Sequence, residues 1–122
     1  MTTVQIDDGQ GWSRICELDD LVPGRGVAVL LPDGTQAAVF RTRGGELYAL
    51  DNRDPFSGAY VMSRGLTGSR GEAPVVVSPM LKQAFDLRTG RCLDEETAPD
   101  GSPAHLRTWP VRVAVAALAV AG

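Results

Sequence analysis

The 122-residue sequence is poor in the residues that bind metals or form disulfides, with two cysteines and one histidine. Cys16 and Cys92 are distant in sequence and no secretory signal precedes them, so we expect two free, buried thiols and no disulfide. Neither cysteine has a histidine beside it, which argues against an activated nucleophile. His105 has no neighbouring cysteine or histidine, and we expect it to be structural or exposed.

Positive charge is also scarce, since 12 lysines and arginines face 15 acidic residues and the net charge is -3. Nucleic acids and anionic membranes require concentrated positive charge, so we exclude both as partners. The N-terminal residues lack a basic segment followed by an apolar one, which predicts a cytoplasmic protein. The longest apolar run follows Arg112 and is about half of the roughly 20 residues that a bilayer span needs.

The length predicts one domain, residues 1–122 with a core at about 12–120, and the pattern predicts an all-β fold. Short runs rich in Val, Leu and Ala alternate with Gly, Pro and Asp. Residues 26–31 and 35–42 should form a hairpin, because Asp33-Gly34 supplies a tight turn. Residues 46–52 should add a third strand, with one face in the core and the other partly covered.

A second group of predicted strands comprises residues 73–78, 83–87 and 91–93. Residues 94–103 contain acids, prolines and glycines and should form an exposed loop. One or two closing strands should follow, up to residue 120. A single helical turn is expected near residues 18–21. Trp12 and Trp109 could pack in the core or mark a partner surface, and the sequence does not decide between these.

Two predicted loops, residues 51–61 and 78–93, resemble the ligand loops of Rieske domains. In that family one loop reads Cys-Pro-His, then a small residue and Gly, and the other reads Cys-Pro-x-His-Gly, then an aromatic residue, Asp-Leu and Thr-Gly. The chain keeps the following parts of this frame: Asn52-Arg53, Pro55, Gly58-Ala59, Pro79, Phe85-Asp86-Leu87 and Thr89-Gly90.

The ligands of that family are missing. Asp54 and Phe56 stand at the cysteine and histidine positions of the first loop, and Ser78 and Leu81 at those of the second. A Rieske cluster needs two thiolates and two imidazoles. The one histidine and the two cysteines lie elsewhere, so we expect no 2Fe-2S cluster and no catalytic, cofactor or metal residues in this chain. The four residues would be vestigial ligand positions.

A chain that keeps the Rieske loop motifs but lacks the metal ligands resembles the small subunit of bacterial assimilatory NAD(P)H nitrite reductase. The resemblance runs from Trp12 to Val120 and includes the motifs around Trp12 to Gly24 and Asn52 to Ala59. It implies a Rieske-like antiparallel β-sandwich or barrel with two ligand-loop-like hairpins. It also implies a non-catalytic accessory subunit. Its large-subunit partner would carry FAD, an iron–sulfur cluster and sirohaem and reduce nitrite to ammonium.

Two other functions stay open at this point. The chain could be a Rieske-type ferredoxin that transfers electrons, or a cofactor-free module that binds a small ligand in the vacated cluster cavity. Asp51 and Asp54 could form an acid–base pair, although loop acids more often cap turns. Asp86 should hold its hairpin to Arg91.

Loops that lose a bridging metal need other contacts, because ordering them costs roughly 1–2 kcal/mol per residue. Phe56, Met80 and Leu81 are apolar at or beside the former ligand sites. We expect all three to pack where the cluster would sit.

Overall fold

The computed structural model describes residues 2–115, so residues 116–120 of the predicted closing strands lie outside the described residues. Within this range the chain forms three antiparallel sheets, which confirms the predicted all-β fold. The helical segments described are two 3-10 turns, Leu18–Asp20 and Met62–Arg64. The first lies where a helical turn was predicted. No helix between residues 2 and 115 is long and apolar enough to span a membrane.

The strands follow each other in three groups along the chain. They are β1 (Thr2–Asp7), β2 (Trp12–Glu17), β3 (Arg25–Leu30), β4 (Gln36–Arg41), β5 (Leu47–Asp51), β6 (Leu66–Arg70), β7 (Ala73–Val77), β8 (Ala84–Asp86), β9 (Thr108–Trp109) and β10 (Val111–Val115). The sheet orders are β10-β1-β2, β3-β4-β5-β9 and β6-β7-β8.

The β3–β4 hairpin forms where Asp33-Gly34 predicts it. Gly34 has a φ of 89°, in the left-handed region that glycine adopts without a Cβ penalty. The Asp33 carboxylate accepts a hydrogen bond from the Thr35 amide at 2.8 Å, and the Leu31 amide donates to the Thr35 carbonyl at 2.8 Å. Local turn chemistry therefore sets the register of this hairpin, and β5 continues the predicted meander.

The four-stranded sheet has a core cluster on each face. On β5, Ala49 and Leu50 are buried on opposite faces, while Leu47 and Tyr48 are half-buried. Along β4, Ala38 and Phe40 face a core cluster shared with β7 and β8. Ala37 and Val39 face a second cluster, shared with β1. The sheet is therefore the middle of three layers, because strands from the two ends of the described chain cover its second face.

Strands β1, β2 and β6 are not among the predicted strands. Val4 and Ile6 of β1 are fully buried, although β1 precedes the core range expected from the sequence. Conversely, residues 91–93 form isolated bridges, Phe85↔Cys92 and Arg91↔His105, instead of a strand. Residues 94–103 lie outside the named strands and are mostly exposed, as expected, with Ala98 buried.

Gly90 permits a close chain crossing beside the second loop. Its φ is 82°, and a Cβ on it would meet the Leu106 carbonyl oxygen at 1.9 Å. The Leu106 amide donates to the Gly90 carbonyl at 2.7 Å, so the two backbones are held together there.

We predict that Gly90→Ala destabilises the fold much more than Gly34→Ala. Both glycines have similar positive φ values, but the structure shows nothing within 4 Å of a Cβ on Gly34. Gly34→Ala should cost about 1 kcal/mol from backbone conformation alone. Gly90→Ala should cost at least about 2 kcal/mol more from the clash. Urea unfolding of both variants measures the difference, and equal losses would contradict the close crossing.

Candidate functional site: two facing turns

The two loops singled out by the sequence begin with turns of the same construction, at residues 54–58 and 78–82. The first follows β5 after two residues, and the second starts directly after β7. In each turn the amide of the fifth residue donates to the carbonyl of the first, Gly58 to Asp54 at 2.8 Å and Lys82 to Ser78 at 3.2 Å. Each turn therefore closes through its own backbone.

Side chains at the first position stabilise both turns in the same way. Asp54 accepts a hydrogen bond from the Phe56 amide at 2.8 Å, and the Ser78 hydroxyl accepts one from the Met80 amide at 3.3 Å. These are the local side-chain-to-backbone contacts that favour Asp and Ser in turns. The fifth residues are both left-handed, with φ values of 78° at Gly58 and 69° at Lys82.

Lys82 is the one non-glycine residue with a positive φ between residues 2 and 115. In the Rieske pattern Cys-Pro-x-His-Gly, glycine stands at this fifth position. Lys82 therefore adopts a left-handed conformation that suits glycine. Because lysine has a Cβ, this conformation carries an energetic cost.

The two turns meet through a buried hydrogen bond between their first residues. The Ser78 hydroxyl donates to Oδ2 of Asp54 at 2.6 Å, and both residues are fully buried. A buried carboxylate needs several donors, and Asp54 receives them from the Ser78 hydroxyl and the Phe56 amide, with a longer contact to the Ser57 amide. The structure therefore brings together the predicted positions Asp54 and Ser78.

Of the three apolar residues expected to fill the space between the loops, only Phe56 packs inward. Its ring lies against Phe85, with centroids 6.2 Å apart, beside the core cluster. Met80 and Leu81 are 50% and 58% exposed, so the expectation was wrong for both. The hydrogen-bonded pair of Asp54 and Ser78 already joins the turns, and residues 80–81 lie in a turn whose closure leaves them at the surface.

Asn52 supports the first loop, a role that the sequence frame did not reveal. This residue is 1% exposed. Its amide nitrogen donates to Oε1 of Gln36 at 3.0 Å and to the Tyr60 carbonyl at 3.3 Å, and its Oδ1 accepts from the Ser63 amide at 2.8 Å. An Asn at the end of a strand that precedes a long loop is the available signal for such a contact.

The acidic residues of the loops act as turn caps. The Asp51 carboxylate accepts from the Arg53 amide at 2.9 Å, so Asp51 and Asp54 each bind backbone amides, as capping predicts. The Asp86 amide donates to the Arg91 carbonyl at 2.8 Å, so Asp86 lies opposite Arg91 in this hairpin, while its carboxylate accepts from the Arg88 amide at 2.8 Å. Burial opposes ionisation of Asp86, but hydrogen bonds from the Arg88 guanidinium and amide lower its pKa below the ordinary value.

The residues present do not fit a 2Fe-2S cluster. Such a cluster needs two thiolates and two imidazoles in facing loops. Cys16 is half-buried on β2, where burial raises the pKa of its thiol, and Cys92 is buried in the core. Nε2 of His105 donates to the Thr89 carbonyl at 2.7 Å. No group of three or more metal-binding side chains is present between residues 2 and 115.

The two tryptophans, left open by the sequence, have different environments. Trp109 is 5% exposed and belongs to the core cluster on the β1 side of the middle sheet. Trp12 is 38% exposed, and the guanidinium carbon of Arg112 lies 4.0 Å from the centroid of its ring. Trp109 is therefore a core residue, and Trp12 is partly covered by a cation–π contact.

We predict that Ser78→Ala lowers the free energy of unfolding by about 2 kcal/mol, because it removes a buried hydrogen bond to a carboxylate. Ser57→Ala is the matched control, since Ser57 lies in the first turn and is exposed, and its hydroxyl accepts an exposed hydrogen bond, from the Ala59 amide at 3.2 Å. It should change stability by less than about 0.5 kcal/mol. Chemical denaturation measures both, and similar losses would show that the contact between Asp54 and Ser78 does not join the turns.

We predict that Phe56→Ala costs about 1–3 kcal/mol, since it removes a half-buried ring packed on Phe85. Leu81→Ala should change stability by less than about 0.5 kcal/mol, because Leu81 is exposed. Thermal unfolding and limited proteolysis of the loops check both expectations. A loss with Leu81→Ala as large as that with Phe56→Ala would mean that Leu81 packs between the turns after all.

Comparison with known proteins places this geometry in a family. The model of the Rieske-like 2Fe-2S domain matches residues 11–121. The nitrite reductase (NADH) small subunit of Salmonella typhimurium is 42% identical over 86 residues, which are 70% of this chain and 79% of that one. The NAD(P)H nitrite reductase large subunit of Klebsiella oxytoca is 43% identical over 102 residues, 84% of this chain but 10% of that polypeptide.

A solved structure agrees with the sequence relatives. A crystal structure assigned to an NADH-dependent nitrite reductase small subunit of Mycobacterium tuberculosis has 43% identity and a TM-score of 0.65, and it covers 94% of this chain and 99% of that one. The family match over residues 11–121 and the shared fold lead to one conclusion. The chain belongs to the Rieske-like 2Fe-2S domain family and, within it, to the small subunits of NAD(P)H nitrite reductases.

Proposed function

We propose that this chain is the accessory small subunit of a cytoplasmic NAD(P)H-dependent nitrite reductase. It has no active site of its own and supports the reduction of nitrite to ammonium on a large subunit. That subunit carries FAD, an iron–sulfur cluster and sirohaem. The chain itself carries no cofactor, and its partners include neither nucleic acid nor membrane.

The observation that carries this proposal is the pair of relatives. A similar domain is a separate chain in the Salmonella small subunit, and it forms 10% of the Klebsiella polypeptide named as the large subunit. A domain that is part of a subunit in one organism and a separate chain in another is expected to sit against that subunit in both. This comparison is the basis for proposing the large subunit as partner.

We further propose that Asp54, Phe56, Ser78 and Leu81 occupy former ligand positions. In a Rieske cluster the two cysteines bind the same iron, so their side chains must lie side by side. The side-chain oxygens of Asp54 and Ser78 are 2.6 Å apart, which supports this assignment of the two cysteine positions.

The alternative of a small-ligand module in the vacated cavity has less support. A ligand there would need open space between the two turns. Asp54 and Ser78 are fully buried and bonded to each other at that point. The alternative of an electron-transferring ferredoxin requires a thiolate and imidazole set that these turns do not supply.

Coexpression with the large subunit of the same organism tests the proposed function. We expect the two chains to copurify, and NAD(P)H-dependent nitrite reduction by the large subunit to rise when the small subunit is added. The small subunit purified alone should be colourless and free of iron. Absence of copurification together with unchanged activity would refute the accessory role, and an iron-dependent visible spectrum would favour the ferredoxin instead.

A further inference from the structure

The second turn displays a surface that the fold itself does not use. The tip of this turn consists of three consecutive exposed residues, Met80, Leu81 and Lys82. Isolated apolar residues at the surface are common and need no explanation. Here two large apolar side chains stand next to each other on a turn whose backbone is held by hydrogen bonds at both ends, from the Met80 and Lys82 amides to Ser78.

The tip also contains the unfavourable backbone conformation of Lys82. Its φ is 69°, whereas the equivalent position of the first turn is Gly58. Glycine would adopt this conformation without strain, so a lysine side chain is present here at an energetic cost. Residues held in such conformations cluster at functional sites. The buried hydrogen bond from Ser78 to Asp54 fixes the first residue of the turn that carries the tip.

The charge of the tip differs from that of the whole chain. The net charge of the chain is -3, yet residues 78–83 contain Lys82 and no acid. Asp54, the acid that contacts this turn, is buried against Ser78. The tip is thus apolar and cationic, which complements an apolar depression bordered by carboxylates.

We propose that the tip formed by residues 80–82 is the surface with which this chain docks on the large subunit. The inference rests on the proposed function, and it adds the position of the interface. The large subunit is the occupant because a similar 102-residue segment is built into a large-subunit polypeptide in Klebsiella oxytoca, where it needs a contact surface to the remainder. In this arrangement Met80 and Leu81 enter an apolar depression on the large subunit, and Lys82 faces carboxylates at the border of that depression.

Lys82 is the only lysine in the sequence, which allows a footprint on the unaltered protein. The complex and the small subunit alone are treated with an amine-acylating reagent, and modification of Lys82 is followed by mass spectrometry. We expect acylation of Lys82 to slow several-fold in the complex. Protection that appears in the small subunit alone as its concentration rises would instead assign the tip to contact between copies of this chain, and would overturn the proposal.

A matched pair of variants supplies the second test. Leu81→Glu should weaken binding to the large subunit at least about tenfold, because it places a charge in the interface. Leu30→Glu makes the same change at a leucine that is 73% exposed at the end of β3, and it should bind as the wild type does. Circular dichroism checks that both variants are folded, and the footprint does not depend on either of them.

The outcomes separate the two proposals. If the wild-type chains form no complex, the proposed function fails. If they form one while Lys82 stays as reactive as in the free chain, the docking surface is wrong and the accessory role stands. Equal weakening by Leu81→Glu and Leu30→Glu would also overturn the docking surface, because the effect would not be specific to the tip.

Discussion

The site depends on one buried hydrogen bond, from the Ser78 hydroxyl to the Asp54 carboxylate. It joins two loops that the chain separates by more than twenty residues. Burying a carboxylate is costly unless donors surround it. Asp54 meets this requirement with donors from its own turn and one from the opposite turn, so the bond makes each loop necessary for the stability of the other. Together with the packing of Phe56 on Phe85, this hydrogen bond connects the two loops.

The layered fold places the two turns where this bond can form. The middle sheet is buried on both faces, and β5 delivers the first turn from that sheet. Phe85 of β8 lies in the same cluster as Leu50 of β5, so the sheet of β6, β7 and β8 packs against the middle sheet and sets the position of the second turn. The contact between Asp54 and Ser78 is therefore a consequence of the packing between the two sheets, because a dense core fixes the relative placement of the elements that it joins.

The sequence predicts those parts of the fold whose cause is local. Asp33-Gly34 specifies its hairpin because the turn geometry depends on those residues alone. Strand β6 could not be predicted in this way, because it contains Gly68 and is mostly exposed and owes its conformation to pairing with β7. Strand β1 pairs with β10, more than one hundred residues away, and a partner at that distance leaves no local signal.

The same difference between local and long-range causes explains which parts of the site could be predicted from the sequence. The resemblance to the Rieske ligand loops located both turns, because the motif residues that carry it specify local turn structure. The contact between Asp54 and Ser78 was not visible, since it depends on how two sheets pack. The burial of Phe56 and the exposure of Leu81 could not be separated by hydropathy either. Both are apolar residues in equivalent loops, and only the direction in which each turn presents its side chains distinguishes them.

The two turns show why a frame can persist without the metal ligands around which it is arranged in Rieske domains. Each turn closes through its own amide-to-carbonyl bond, and each is capped by the side chain of its first residue. Pro55 and Pro79 restrict the backbone at the second position of both. The retained motif residues therefore specify turn geometry, independently of a cluster. The left-handed conformation of Lys82 follows from this turn geometry, because the hydrogen bonds of the turn impose that conformation on whichever residue stands fifth.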